Sequence, residues 1–139
     1  MKKVASGICA LLVVGCASTG EPRPVENWSG SIQAEAHDDM RAAANVNAGM
    51  RETVVSVALA GDENGAVRPW HIHAGTCGSG GAIVGDATAY PPLRIGATGG
   101  ADATARLAVA LDPAASYYVN IHESSTNLGN IVGCMQLNR

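Results

Sequence analysis

The sequence predicts an all-β fold, an antiparallel Greek-key β-sandwich or barrel, on three observations. Seventeen Gly and six Pro punctuate a chain otherwise rich in Val, Thr and Ala, a composition that suits short strands joined by many turns. Apolar residues recur with a period of two: Thr53, Val55, Val57 and Leu59 would share one face of a strand, with Val54, Ser56 and Ala58 on the other. Turn signals return roughly every eight to twelve residues, and no segment carries a long amphipathic helical period. With 139 residues there is room for one domain and not two.

In chain order, residues 28–36 read as a first strand of fair alternation, and His37-Asp38-Asp39 as the turn that follows. Residues 41–48 fit a weak strand or a short helix, because Ala42, Ala43 and Ala44 suit either. Residues 51–60 form the clearest strand. Gly61-Asp62-Glu63-Asn64-Gly65 is a turn whose Asn-Gly pair is a strong hairpin signal. Residues 67–74 read as a strand, 75–81 as a glycine-rich loop and 82–84 as a short extended piece, before Pro91-Pro92 interrupts regular structure. Residues 101–111 alternate strongly, with Ala105, Leu107, Val109 and Leu111 on one face. Asp112-Pro113 turns the chain into a strand over 116–123. A loop over 124–129 leads to a last strand over 130–137.

The N-terminus reads as an export signal. Lys2 and Lys3 precede an apolar run, Val4 to Val14, that is too short to span a bilayer. Val13-Val14-Gly15-Cys16 resembles a bacterial lipobox, which implies cleavage before Cys16 and lipidation of its thiol; the alternative is an ordinary signal cleaved near Ala17 or Ser18. Residues 1–15 are then a lipoprotein signal peptide, 16–27 a Pro- and Gly-containing tether, and 28–139 the folded domain. The expected location is the cell envelope, anchored by lipid on the periplasmic side of a membrane. Ala17 after the Cys suits an outer membrane. The membrane is a partner through the lipid anchor only.

Export changes the charge and the cysteine arithmetic. Lys2 and Lys3 are the chain's only lysines, so their removal makes the formal charge of −3 more negative by two. No basic patch remains, and nucleic acid is excluded as a partner. Cys9 leaves with the signal and Cys16 carries lipid, so Cys77 and Cys134 are the two thiols left in an oxidising compartment. They most simply form one disulfide; two free buried thiols are the alternative.

The chemistry concentrates in Trp70-His71-Ile72-His73-Ala74-Gly75-Thr76-Cys77. On a strand His71 and His73 point the same way and Ile72 the other, so Ile72 enters a core while the two imidazoles share the opposite face. Tyr117-Tyr118-Val119-Asn120-Ile121-His122 repeats the arrangement, and Cys134 follows it as Cys77 follows His73. Three neutral imidazoles suit one borderline or soft divalent ion, zinc or copper, with copper binding more tightly. Three structural or solvent-facing histidines are the bland reading of the same residues.

His71-Ile72-His73 with Gly75 and Cys77, and then Val119-Asn120-Ile121-His122-Glu123 with Gly133-Cys134, resembles the Cu/Zn superoxide dismutase fold over about residues 27–138. The same strings look like the chordin-type (CHRD) domain of bacterial proteins. The resemblance implies a superoxide dismutase-like sandwich with copper ligands His71, His73 and His122 and an intrasubunit disulfide between Cys77 and Cys134. It also marks departures. That family carries a bridging His and further zinc ligands in the loop after the first Cys, whereas residues 78–111 contain no His; a second, zinc site is therefore not expected. It places an Arg shortly before the second Cys, whereas Ile131 stands at that spacing.

These readings lead to a metal-binding envelope protein with a mononuclear three-histidine copper site, zinc being the other candidate ion. A copper-only superoxide dismutase is the alternative, and no catalytic residue is assigned. His37 reads as a solvated turn residue. Gly78-Ser79-Gly80-Gly81 lacks the Lys-Ser/Thr of a phosphate loop, and no Gly-x-Ser-x-Gly elbow accompanies Ser124 and Ser125. Trp70 and Tyr118 read as packing residues, and Asn120 shares the face of His122.

Overall fold

The structure, a computed structural model, describes residues 25–32 and 39–139. The expected signal peptide, Cys16, most of the expected tether and His37 lie outside the described residues.

Alternation of small apolar and polar residues builds the first sheet. It comprises β1 (Glu26–Ser31), β2 (Arg41–Ala48), β3 (Thr53–Ala60) and β7 (Ala101–Leu107), in the order β1-β2-β3-β7. β1 begins two residues ahead of the expected domain boundary. In β2 the residues Ala42, Ala44, Val46 and Ala48 are buried and those between are exposed, a strict period of two that settles this segment as strand and not helix. β7 is shorter than its alternation predicts: the chain leaves the sheet after Leu107, and the Thr53 hydroxyl donates to the Val109 carbonyl at 2.7 Å.

The second sheet has the order β5-β8-β9, with β5 (Trp70–Ala74), β8 (Tyr117–Ser124) and β9 (Asn127–Leu137); a small pair, β4 (Val67–Arg68) with β6 (Leu93–Arg94), lies beside it. All strand pairs are antiparallel. The expected strand over 67–74 is two strands, β4 and β5, broken at Pro69, which cannot donate to a ladder. The Asn64-Gly65 turn forms as expected, with Ala66 N–H donating to the Glu63 carbonyl at 3.1 Å. It does not make a hairpin, however: β3 and β4 belong to different sheets, and the turn carries the chain from one to the other. The final hairpin is tighter than the sequence predicts, because β8 runs to Ser124 and β9 starts at Asn127.

The two larger sheets are stitched at one point, where Ser29 of β1 and Asn138, just after β9, exchange both backbone hydrogen bonds at 2.8 Å. Their inward faces share one apolar core that includes Trp28, Val57, Ile72, Leu93, Ile121 and Met135. Burial of these side chains supplies the main driving force for the fold. The fold is all-β, with one short 3₁₀ turn, Ala87–Ala89, as its helical piece among the described residues.

Candidate metal centre

Period-two facing places the histidines as the sequence predicts. β5 sends Trp70 and Ile72 into the core and His71 and His73 to the opposite face. β8 does the same with Val119 and Ile121 inward and Tyr118, Asn120 and His122 outward. Register aligns the outward residues: His71 sits across from Asn120 and His73 across from Tyr118, while β9 adds Cys134 beside Asn120 and Gln136 beside Tyr118. His122 is thus the diagonal neighbour of His71, within reach of an aromatic ring. One ligand atom from each of His71, His73 and His122 lies within 4.8 Å of the others, and the three residues are only 7%, 8% and 5% exposed.

Backbone carbonyls select which ring nitrogen faces the cluster. His73 Nδ1 lies 2.8 Å from the Gly81 carbonyl, and His122 Nδ1 lies 2.7 Å from that of Leu128. A carbonyl only accepts, so each Nδ1 carries the proton and each Nε2 keeps its lone pair. His73 Nε2 is buried and has no hydrogen-bond partner among the described residues. An orphaned basic nitrogen is costly in a folded interior unless something binds it. His71 Nδ1 lies 3.1 Å from His122 Nε2, so the two atoms share one proton in the metal-free arrangement. A metal ion fits this donor set: two nitrogens are already oriented by carbonyls, as metal-bound imidazoles usually are, and the third is aimed at them.

Electrostatics favour the neutral form of His71 and of His122. Burial, and then the neighbouring His122 and His73, push the His71 imidazole down from its ordinary value of 6.5 to about 4. Burial also lowers His122; the Leu128 carbonyl partly opposes this, and His73 adds to it. Deprotonated imidazoles are the form that ligates a metal.

The loop after β5 forms the cover. Residues 82–84 run beside β5: Val84 N–H donates to the Ile72 carbonyl, and a bridge joins His73 to Ile83. A Cβ on Gly81 would overlap the Ala74 carbonyl, so only glycine brings the loop close enough to hand its own carbonyl to His73. Tyr118 braces the same point, stacking on His73 (centroids 5.2 Å apart, planes 19°) while its hydroxyl accepts from Gly81 N–H at 3.0 Å. Tyr90 meets His71 edge-on at 5.1 Å, and its hydroxyl donates to the Val84 carbonyl at 2.6 Å. The Cys77–Cys134 disulfide ties this loop to β9.

A buried ion pair holds the other side. Arg68 donates through Nε and Nη2 to both carboxylate oxygens of Asp62 at 2.7 and 2.8 Å, and through Nη1 to the Glu123 carbonyl at 2.8 Å. Their side chains are 8% and 1% exposed. β8 and β9 lose regular register at Ile121/His122 and again at His122/Ser124, so the ladder alone does not set the direction of His122. The Arg68 contact, together with His122 N–H donating to the Pro69 carbonyl at 2.8 Å, takes over that task.

His73, Asn120 and His122 line an open cavity of about 1170 Å³ that extends past Cys134 to Ser29 and Ser31 on β1. Among the described residues no Asp, Glu, Lys or Arg lines it.

Each expected site residue within the described region reaches the site: the three histidines converge, Cys77 and Cys134 are bonded, and Asn120 lines the cavity. Trp70 is a core residue, whereas Tyr118 is part of the site's support as well as packing. Glu123 supplies its backbone carbonyl to Arg68 and its carboxylate to the Asn127 side-chain amide. Sequence reasoning missed the Gly81 and Leu128 carbonyls, Tyr90 and the Asp62–Arg68 pair. Backbone carbonyls leave no mark in a sequence, and Asp62 stood inside a turn signal that already explained it. Searches against family models, curated proteins and solved structures return no match to this chain.

Proposed function

We propose that this chain is an exported, lipid-anchored envelope protein whose superoxide dismutase-like, chordin-type domain binds one copper ion through His71, His73 and His122. The observation that carries the reading is the convergence of three buried imidazoles, with His73 Nε2 left without a partner among the described residues. A neutral all-nitrogen set disfavours calcium and magnesium, which take oxygen ligands, and suits copper or zinc; the Irving–Williams order favours copper. When bound, copper supplies one-electron chemistry. The chain's own part is to hold the ring protons at Nδ1 of His73 and His122, to favour neutral His71 and His122, and to cover the cluster with the 75–92 loop. The anchor is Cys16, read from the lipobox-like Val13-Val14-Gly15-Cys16.

Superoxide dismutation is the second reading, favoured by the open cavity beside His73 and His122. The absence of charged side chains from the described lining and Ile131 at the place of the guiding Arg argue for weak turnover at best.

The test is metal analysis of protein purified from copper-supplemented cells, followed by competition titration and a dismutase assay. One equivalent of copper with weak or no dismutation is expected. A protein that takes up no copper at micromolar levels overturns the metal reading, and dismutation well above buffer overturns the binding-only reading. Cys16→Ser should release the protein from the membrane; an unmodified wild type that stays bound would refute the anchor.

A further inference from the structure

Asn120 is the one polar, non-histidine side chain that the register places between ligands. It lies directly across from His71 on β5 and two residues before His122 on β8, on the same outward face. Directly opposed residues bring their Cβ atoms to about 5 Å, and i, i+2 residues on one strand share a face, so the amide stands against two of the three imidazoles. It is only 9% exposed, yet its side chain makes no hydrogen bond among the described residues, and it lines the cavity together with His73 and His122. Gln136 on the same face shows the contrast: its Oε1 accepts from Cys77 N–H at 3.1 Å and its Nε2 donates to the Tyr117 carbonyl at 2.8 Å, so it serves the fold.

A nearly buried amide with no protein partner needs one from solvent or from a ligand. A valine or leucine would fill the same place in a strand without that requirement. Packing therefore does not account for Asn120, which lines the same cavity as His73, whose buried Nε2 has no partner among the described residues.

We infer that Asn120 and the adjoining cavity form a binding site for a small hydrogen-bond-accepting ligand that would take an open coordination position on the bound metal while its free end accepts a hydrogen bond from the Asn120 amide. The inference rests on the three-histidine metal reading. The class of ligand follows from the surroundings. The amide donates a hydrogen bond but brings no charge, and the described lining brings none either, so an acceptor is held by hydrogen bonding and not by an ion pair. Asn120 acts here as a ligand-positioning residue and not as a metal ligand.

Azide is the probe, because it accepts a hydrogen bond and gives a charge-transfer absorption on copper that reports binding without turnover. The copper-loaded wild type, Asn120→Leu and Asn120→Asp are titrated with azide, with copper affinity measured separately for each. Asn120→Leu should keep copper affinity and weaken azide about five- to tenfold, the worth of one hydrogen bond. Asn120→Asp, an acceptor where a donor is needed, should weaken it further. Should either substitution prevent folding, Asn120→Ser, which keeps a donor on a shorter arm, should show intermediate azide affinity. Unchanged azide affinity in folded, copper-loaded Asn120→Leu or Asn120→Ser overturns this inference alone. A wild type that binds no copper overturns the metal reading and this inference with it.

Discussion

His71 Nδ1 and His122 Nε2 stand 3.1 Å apart, with the Nδ1 of His122 committed to the Leu128 carbonyl. His122 Nε2 must therefore accept, and His71 Nδ1 must donate. An ion held by both atoms requires the opposite state at His71, with the proton on Nε2. Metal binding should thus swap the tautomer of His71 and leave those of His73 and His122 unchanged. Long-range proton–nitrogen correlation spectra with and without zinc, a diamagnetic stand-in for copper, check this. An Nδ1-protonated His71 in a zinc-loaded protein would rule out its role as an Nδ1 ligand.

The same cluster predicts acid sensitivity. The His71 imidazole is held at about 4 in the fold against an ordinary value of 6.5, and His122 is lowered in the same direction. Between those values the unfolded chain binds a proton that the folded chain refuses. Stability is therefore full above about 6.5 and is lost as pH falls toward 4. Denaturant midpoints of the metal-free domain at pH 7.5, 6, 5 and 4 should decline in that order, and His71→Phe should flatten the decline. An equally steep profile in His71→Phe would assign the sensitivity to other groups.

What the sequence revealed and what it hid divide along a physical line. Side-chain facing is local, so His71 and His73 on one side of Ile72 could be read from three residues, and the buried alternation of β3 from eight. Proximity across the sheet was legible only because Cys77 and Cys134 marked the two halves that had to meet. Segment 41–48 stayed ambiguous because alanines carry little strand preference of their own; pairing with both β1 and β3 decided it. Pro69 was visible, yet the break it makes between β4 and β5 was not drawn from it. The anchors of the site are backbone carbonyls of Gly81 and Leu128, and any residue has a carbonyl. Only the space requirement at Gly81 left a trace, as one more glycine in a glycine-rich loop.

The disulfide should matter for stability as well as for the cover it holds. Cys77 and Cys134 are 57 residues apart, and removing a cross-link over a loop of that length costs about 4 kcal/mol in the chain-entropy model. The Cys77→Ser/Cys134→Ser double variant should lower the unfolding free energy by about that amount in denaturant titrations. It should also weaken metal binding, because the 75–81 segment that carries the Gly81 carbonyl is then held to β9 by little beyond the Cys77 N–H to Gln136 contact. Loss of stability with unchanged metal affinity would show that the cover forms without the bond.

Arg68 joins stability to the site, and the two contributions can be separated. Removing Asp62 takes the carboxylate away from the buried Arg68 guanidinium, so Asp62→Asn should cost about 3–5 kcal/mol. The Asp62→Asn/Arg68→Met double variant removes both charges of the pair and should recover part of that loss. It cannot restore the donor to the Glu123 carbonyl, which follows His122 at the point where β8 and β9 lose register. The double variant should therefore be more stable than Asp62→Asn alone yet bind the metal about 10–100-fold more weakly than wild type, the usual effect of losing a group that orients a ligand. Chemical denaturation paired with competition titration measures the two effects on the same samples. A folded double variant that binds copper as well as wild type would make Arg68 a residue of the fold alone, and the direction of His122 would then rest on the Pro69 and Leu128 carbonyls.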